Sequence, residues 1–182
     1  MNELIHSSSM KNLYLLAFIL PLVFVGCSTA DTLARRPLYS ITETEGETID
    51  GHFTAEDLSI HKEIAPGTIT VISIKKIIMS DFVFFTLDLH FIGPDWKFYN
   101  SFTLKVDDVK YEPVVDDNPY RDAEAWGTNI SMTEIVSATI PDDILSSLRS
   151  CESLVIQANG QNNITLVKIQ PEGIIAIRDF IR

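Results

Sequence analysis

The stretch Val83-Phe84-Phe85-Thr86-Leu87-Asp88-Leu89-His90-Phe91 decides the fold class. Its odd positions, Val83, Phe85, Leu87, Leu89 and Phe91, are all apolar, and Thr86, Asp88 and His90 sit between them. Successive side chains of a β-strand point to opposite faces, so this alternation is a strand with one buried face. Upstream, Thr68–Met79 is rich in Ile, Val and Thr and follows the breaker Pro66-Gly67. Downstream, Gly93-Pro94-Asp95 marks a turn, and Phe102, Leu104 and Val106 then alternate with Thr103, Lys105 and Asp107. Asp107-Asp108 reads as the two-residue loop of a hairpin that returns through Val109-Lys110-Tyr111, since Asp tolerates left-handed backbone.

The same reading extends to both ends. Ile130, Met132, Val136, Ala138 and Ile140 share one parity and predict another strand. Glu134 has that apolar parity as well; the simpler reading is an edge or strand-end position from which it reaches water, and if buried the carboxylate must be paired or hydrogen-bonded. Thr139-Ile140-Pro141-Asp142-Asp143 opens a short helix to about Arg149, with Thr139 as the expected cap. Leu154-Val155-Ile156 and Ile164–Ile169 are strands about an Asn159-Gly160 turn. Pro171-Glu172-Gly173 begins a C-terminal helix with Ile174, Ile177 and Ile181 on one face. Residues 38–67 are less clear. Leu38–Ile41 fits a first strand, Asp50-Gly51 a turn, and Glu43, Glu45 and Glu47 would share a solvated face if extended. Residues 116–129, DDNPYRDAEAWGTN, read as a long polar loop. Many short strands with two short helices imply a mainly β fold, an antiparallel β-sandwich with one short helix and a C-terminal helix. Long helices do not alternate with the strands, which disfavours a parallel α/β sheet.

The N-terminus carries a different signal. Residues 13–25, LYLLAFILPLVFV, contain no charge but are too few to span a bilayer, which needs about 20 residues. They fit the apolar core of an export signal, with Lys11 as its positive flank. The preceding MNELIHSSS holds Glu3 and no basic residue, so Met10 is the expected functional start. The run ends in Phe24-Val25-Gly26-Cys27-Ser28. This resembles the lipobox of bacterial lipoproteins, with Phe24 where Leu is usual. The resemblance implies cleavage before Cys27, acylation of its thiol (palmitate among the chains) and a place in the bacterial cell envelope. In a Gram-negative cell Ser28 at the next position implies the outer membrane. The expected organisation is a signal peptide over 1–26, a lipidated tether over 27–37 and a single β-sandwich domain over 38–182. Ten extended tether residues reach roughly 33–36 Å. Membrane attachment is then through the N-terminal lipid.

The 182-residue chain has 14 basic and 25 acidic residues and a net charge of −11. Removing residues 1–26 takes away Lys11 and Glu3, which leaves that charge unchanged. Phosphate backbones repel such a domain, so no nucleic-acid partner is expected. Of the two cysteines, Cys27 is assigned to lipid, and Cys151, between Leu148 and Leu154, fits a buried apolar role.

A second resemblance rests on the segment from Trp96-Lys97-Phe98-Tyr99 to Val109-Lys110-Tyr111, and on Ile140-Pro141-Asp142-Asp143-Ile144-Leu145 with the strand at Leu154. These are similar to β-sandwich domains of uncharacterised bacterial envelope proteins. The similarity spans about half of the mature chain, supports the fold and carries no catalytic residue.

Candidate chemistry is sparse. Trp96, Phe98, Tyr99, Tyr120 and Trp126 surround two expected loops, and aromatic faces with nearby carboxylates can hold sugars or extended peptides. The simpler reading is that they plug the ends of a sandwich, with Tyr120 and Trp126 the more exposed members because their loop is otherwise polar. Asp116, Asp117, Asn118, Asp122 and Glu124 offer oxygen ligands, but their spacing is not that of an EF-hand, and a solvated loop explains them. His52, His61 and His90 form no HExxH pair, and neither CxxC nor GxSxG occurs. No metal, cofactor or catalytic residue is assigned. The expected function is a lipid-anchored, non-enzymatic binding or scaffolding module whose partner is an envelope protein or glycan, with Trp96, Tyr120, Trp126 and Glu134 as candidate binding residues. The alternatives are a glycan-acting hydrolase that uses carboxylates such as Glu134, and a small-ligand carrier.

Overall fold

The computed structural model describes residues 33–48, 51–79 and 82–182. The expected signal peptide, Cys27 and most of the tether lie outside these residues. Residues 33–35 make a turn of helix. Residues 36–182 form one unit.

That unit is mainly β, as its alternating pattern requires. Six strands form the larger sheet: β1 (Ile41–Thr48), β2 (Gly51–Ala65), β3 (Thr68–Met79), β4 (Phe82–Gly93), β7 (Tyr120–Trp126) and β8 (Asn129–Ile140). Their order is β1-β2-β3-β4-β8-β7. The smaller sheet holds β5 (Ser101–Val106), β6 (Val109–Tyr111), β9 (Leu154–Asn159) and β10 (Ile164–Lys168), in the order β10-β9-β5-β6. Every neighbouring pair is antiparallel. Two helices complete the unit, α1 (Asp142–Leu148) and α2 (Pro171–Phe180).

One apolar core joins the two sheets as a β-sandwich. Leu58, Ile72, Leu87, Leu89 and Val136 from the larger sheet cluster with Phe102, Leu104, Leu154 and Ile156 from the smaller one. Helix α1 adds Ile144, Leu145 and Leu148, and α2 adds Ile174, Ile177 and Phe180. Burying a Leu or Phe side chain contributes about 1.5–3 kcal/mol, so this shared cluster is the main force that holds the sheets face to face. Cys151 lies in the core at 0% exposure, and its thiol donates to Leu148 O at 3.4 Å. Burial pushes that thiol pKa up.

Three local expectations are corrected. Residues 116–129 are not one loop, because Tyr120–Trp126 pairs along β8 and the chain turns back at Gly127, where φ is +63°. The pairing is driven by β8, whose strong pattern offers a free edge to a weakly patterned segment. The even positions of β4 from Thr86 onward are not solvated. Asp88 is 1% exposed and meets Lys75 Nζ at 2.6 Å, in a cross-strand row with the buried Ser73 and Ser59. Thr139 does not cap α1: Pro141 occupies the cap position without a side-chain bond, and its carbonyl accepts Leu145 N–H at 3.0 Å.

Two turns depend on left-handed residues. Asp107 follows β5 with φ +52°, and Phe98 has the same φ in the segment before β5. Asp107 Oδ1 accepts the amides of Ser153 at 2.8 Å and Glu152 at 2.9 Å, which ties the β5–β6 hairpin to the start of β9.

Candidate functional site

The site grows from Glu134. Parity places this side chain on the core face of β8, and the structure buries it completely at 0% exposure. Its cost is met by donors from a separate segment. Oε1 accepts Lys97 N–H at 2.5 Å and Phe98 N–H at 3.0 Å, and Oε2 accepts Tyr99 N–H at 3.2 Å. Arg121, directly opposite on β7, adds Nε at 3.5 Å. Consecutive amides can converge on one carboxylate because Phe98 takes the left-handed conformation.

This clamp fixes a small platform. Trp96 and Phe98 lie with ring centroids 5.9 Å apart at 32°. The Arg121 guanidinium sits 5.4 Å from the Phe98 ring centroid and also donates to Tyr99 O at 3.2 Å. Lys97 Nζ lies 5.6 Å from the Phe91 ring centroid. Phe98 is 40% exposed and Trp96 is half-buried, so both faces of the pair are not committed to the core. Tyr99 is buried beneath them, its hydroxyl bonded to Thr165 Oγ1 at 2.7 Å and to Asn163 Nδ2 at 3.2 Å. Beside the platform an open cleft of about 330 Å³ runs between Tyr99, Asn100, Val115, Asp116, Asp117, Pro119 and Arg121.

The aromatic residues singled out in the sequence do not form one site. Tyr120 is 54% exposed and has the parity opposite to Arg121, so it stands on the other face of the larger sheet and bonds Asp122 Oδ2 at 3.2 Å. That bond raises the Tyr120 hydroxyl pKa. Trp126 ends β7 across from Asn129. Trp96 and Glu134 are brought together through the intervening amides. Arg121 was not a candidate, because a residue in an expected loop has no register and so no partner.

The arrangement can bind but offers Glu134 no free oxygen for proton transfer. Both its oxygens are occupied by donors, and a general acid or base must reach substrate within hydrogen-bond distance. The exposed aromatic–guanidinium surface suits planar or apolar groups and hydrogen-bond acceptors. Among the described residues no cluster of His, Cys, Asp and Glu could hold a metal ion. Also among them, no helix is long and apolar enough to cross a membrane. The chain matches no known family model, no curated protein and no solved structure.

Proposed function

We propose that this is a lipid-anchored cell-envelope protein that binds or scaffolds another envelope component without catalysing a reaction. The observation that carries the binding role is the full commitment of Glu134 to three amides and Arg121, which holds the Trp96–Phe98–Arg121 platform at the surface. The apolar run over 13–25 that ends in Val25-Gly26-Cys27 supports the anchor. An envelope protein segment or glycan chain is the class of partner, since stacking and guanidinium hydrogen bonds serve either.

Two experiments test the two halves. A photo-crosslinking amino acid at Phe98, in cells, gives a discrete crosslinked species, and the same probe at Lys110 on the smaller sheet does not. Equal crosslinking at both positions overturns the platform. Metabolic labelling with an alkyne fatty acid marks the wild-type protein and not Cys27→Ala. Label that persists in the variant overturns the anchor.

A further inference from the structure

The larger sheet has an outer face, turned away from the shared core, and one end of it is apolar. Register places Phe53, Met79 and Phe82 in one cross-strand row, and Ala55, Ile77 and Phe84 in the next. Phe82 is 76% exposed and Phe84 36%, and Val83, of the opposite parity at the same end of β4, is 54% exposed. Exposed apolar patches of this kind mark contacts with a partner or a membrane.

We propose that this end of the β3–β4 hairpin seats in the headgroup–acyl boundary of the bilayer, as a second membrane contact beside the lipid. Three observations favour a lipid surface. The first is where the tether is fixed. Arg36 Nη2 pairs with Asp57 Oδ2 at 3.1 Å, and Asp57 follows the Ala55–Ile77–Phe84 row on the same face. Cys27 precedes Arg36 by nine residues, a span of at most about 32 Å, so a lipid on Cys27 keeps this face within reach of the bilayer. The second is charge segregation. Glu43, Glu45 and Glu47 on β1 have the parity opposite to Thr42, Thr44 and Gly46, so the carboxylates of this edge strand turn away from the apolar face. The third is neutralisation. The nearest charges behind the apolar rows are paired, Lys75 with Asp88 and Arg36 with Asp57. Aromatic rings at that end are the side chains that bilayer interfaces favour.

The geometry of this contact rests on the lipid-anchor reading, so its test reads the two separately. The full chain is expressed in cells, purified and reconstituted into vesicles of phosphatidylcholine and phosphatidylethanolamine. A genetically encoded, environment-sensitive fluorescent amino acid replaces Val83, and the same residue in place of Lys110 serves as the distant control. Nitroxide-bearing lipids quench the probe at 83 at least about twofold and leave the probe at 110 unchanged. Adding Phe82→Ser with Phe84→Ser, both at exposed positions, removes at least half of that quenching. No quenching at 83, or a blue-shifted probe that nitroxide lipids do not quench, overturns the contact; the latter result assigns the patch to a protein partner. Fatty-acid labelling is read on the same preparation. Label without quenching overturns the hairpin contact alone, and quenching without label overturns the anchor alone.

Discussion

Glu134 Oε1 holds the amide of Phe98 at 3.0 Å across 36 residues of sequence. The bond joins the core face of β8 to the segment that carries the aromatic platform. Removing the acceptor strands three amides, while Arg121, whose side chain is 31% exposed, turns to water. Glu134→Ala therefore costs about 3–5 kcal/mol, since each buried donor left unmade costs about 1–3 kcal/mol. Glu134→Gln keeps the shape but turns one acceptor into a donor that faces amide donors, at about 1–3 kcal/mol. Urea denaturation checks the order. A Gln variant as stable as wild type would show that the charge is not what holds the segment.

Asp107 predicts a pH dependence. Amide bonds from Ser153 and then Glu152 hold its carboxyl below the usual range. A folded pKa that lies below the unfolded one adds stability above the unfolded value, near 3.8, and this is lost as pH falls through the folded value. Asp107→Ala lowers the melting temperature at pH 7, and the gap from wild type narrows at pH 2–3. Asp107→Asn tolerates the positive φ and keeps an acceptor oxygen, so it falls between the two. A gap that stays constant with pH would reduce the role of Asp107 to backbone conformation.

His90 gives the opposite group with a similar outcome. It lies on β4 between Val71 and Ile135, and burial lowers its pKa, although Asp88 opposes that shift. Protonation is thus easier in the unfolded chain, and stability falls as pH drops below the unfolded value of 6.5. Each unit between the two pKa values is worth about 1.4 kcal/mol. In His90→Gln the difference in melting temperature between pH 7.5 and pH 5.5 shrinks. His61, whose pKa burial also lowers, contributes in the same direction.

Gly173 lies in the first turn of α2, where replacement by Ala would ordinarily stabilise a helix by about 1 kcal/mol. Here an added methyl would stand 2.8 Å from Ile169 Cγ2 and 2.9 Å from Tyr39 Cε1. Tyr39 is held at φ +59° with its amide on Ser59 O at 2.9 Å, so the ring has little room to retreat. Gly173→Ala destabilises the protein by about 1–3 kcal/mol, the usual range for overpacking. A gain in stability would show that Tyr39 swings clear.

Much of this fold is legible in the sequence, because long alternating runs encode a strand and its buried face together. Val83–Phe91, Ile130–Ile140 and the Asp107-Asp108 hairpin lie where their patterns place them. Parity places Glu134 on the apolar face, but the simpler expectation, a side chain that reaches water at an edge, is overturned by its burial. Its partners are not legible either, because they are main-chain amides of residues 97–99, and amides carry no residue signature. The same limit hid β7. YRDAEAW lacks an apolar face of its own and becomes a strand through the edge of β8. The Lys75–Asp88 pair was hidden because one face of β4 was expected to meet water, and only the register of three strands brings Lys75 over it.

The two edges of the larger sheet share a feature that matters for crowding. β1 displays Glu43, Glu45 and Glu47, and β7 displays Asp122 and Glu124, all exposed. An open strand edge is a template for a neighbour's edge. Like charges along both edges repel such encounters before any backbone bonds can form. At high local concentration copies of this chain are therefore kept from joining strand to strand through the larger sheet.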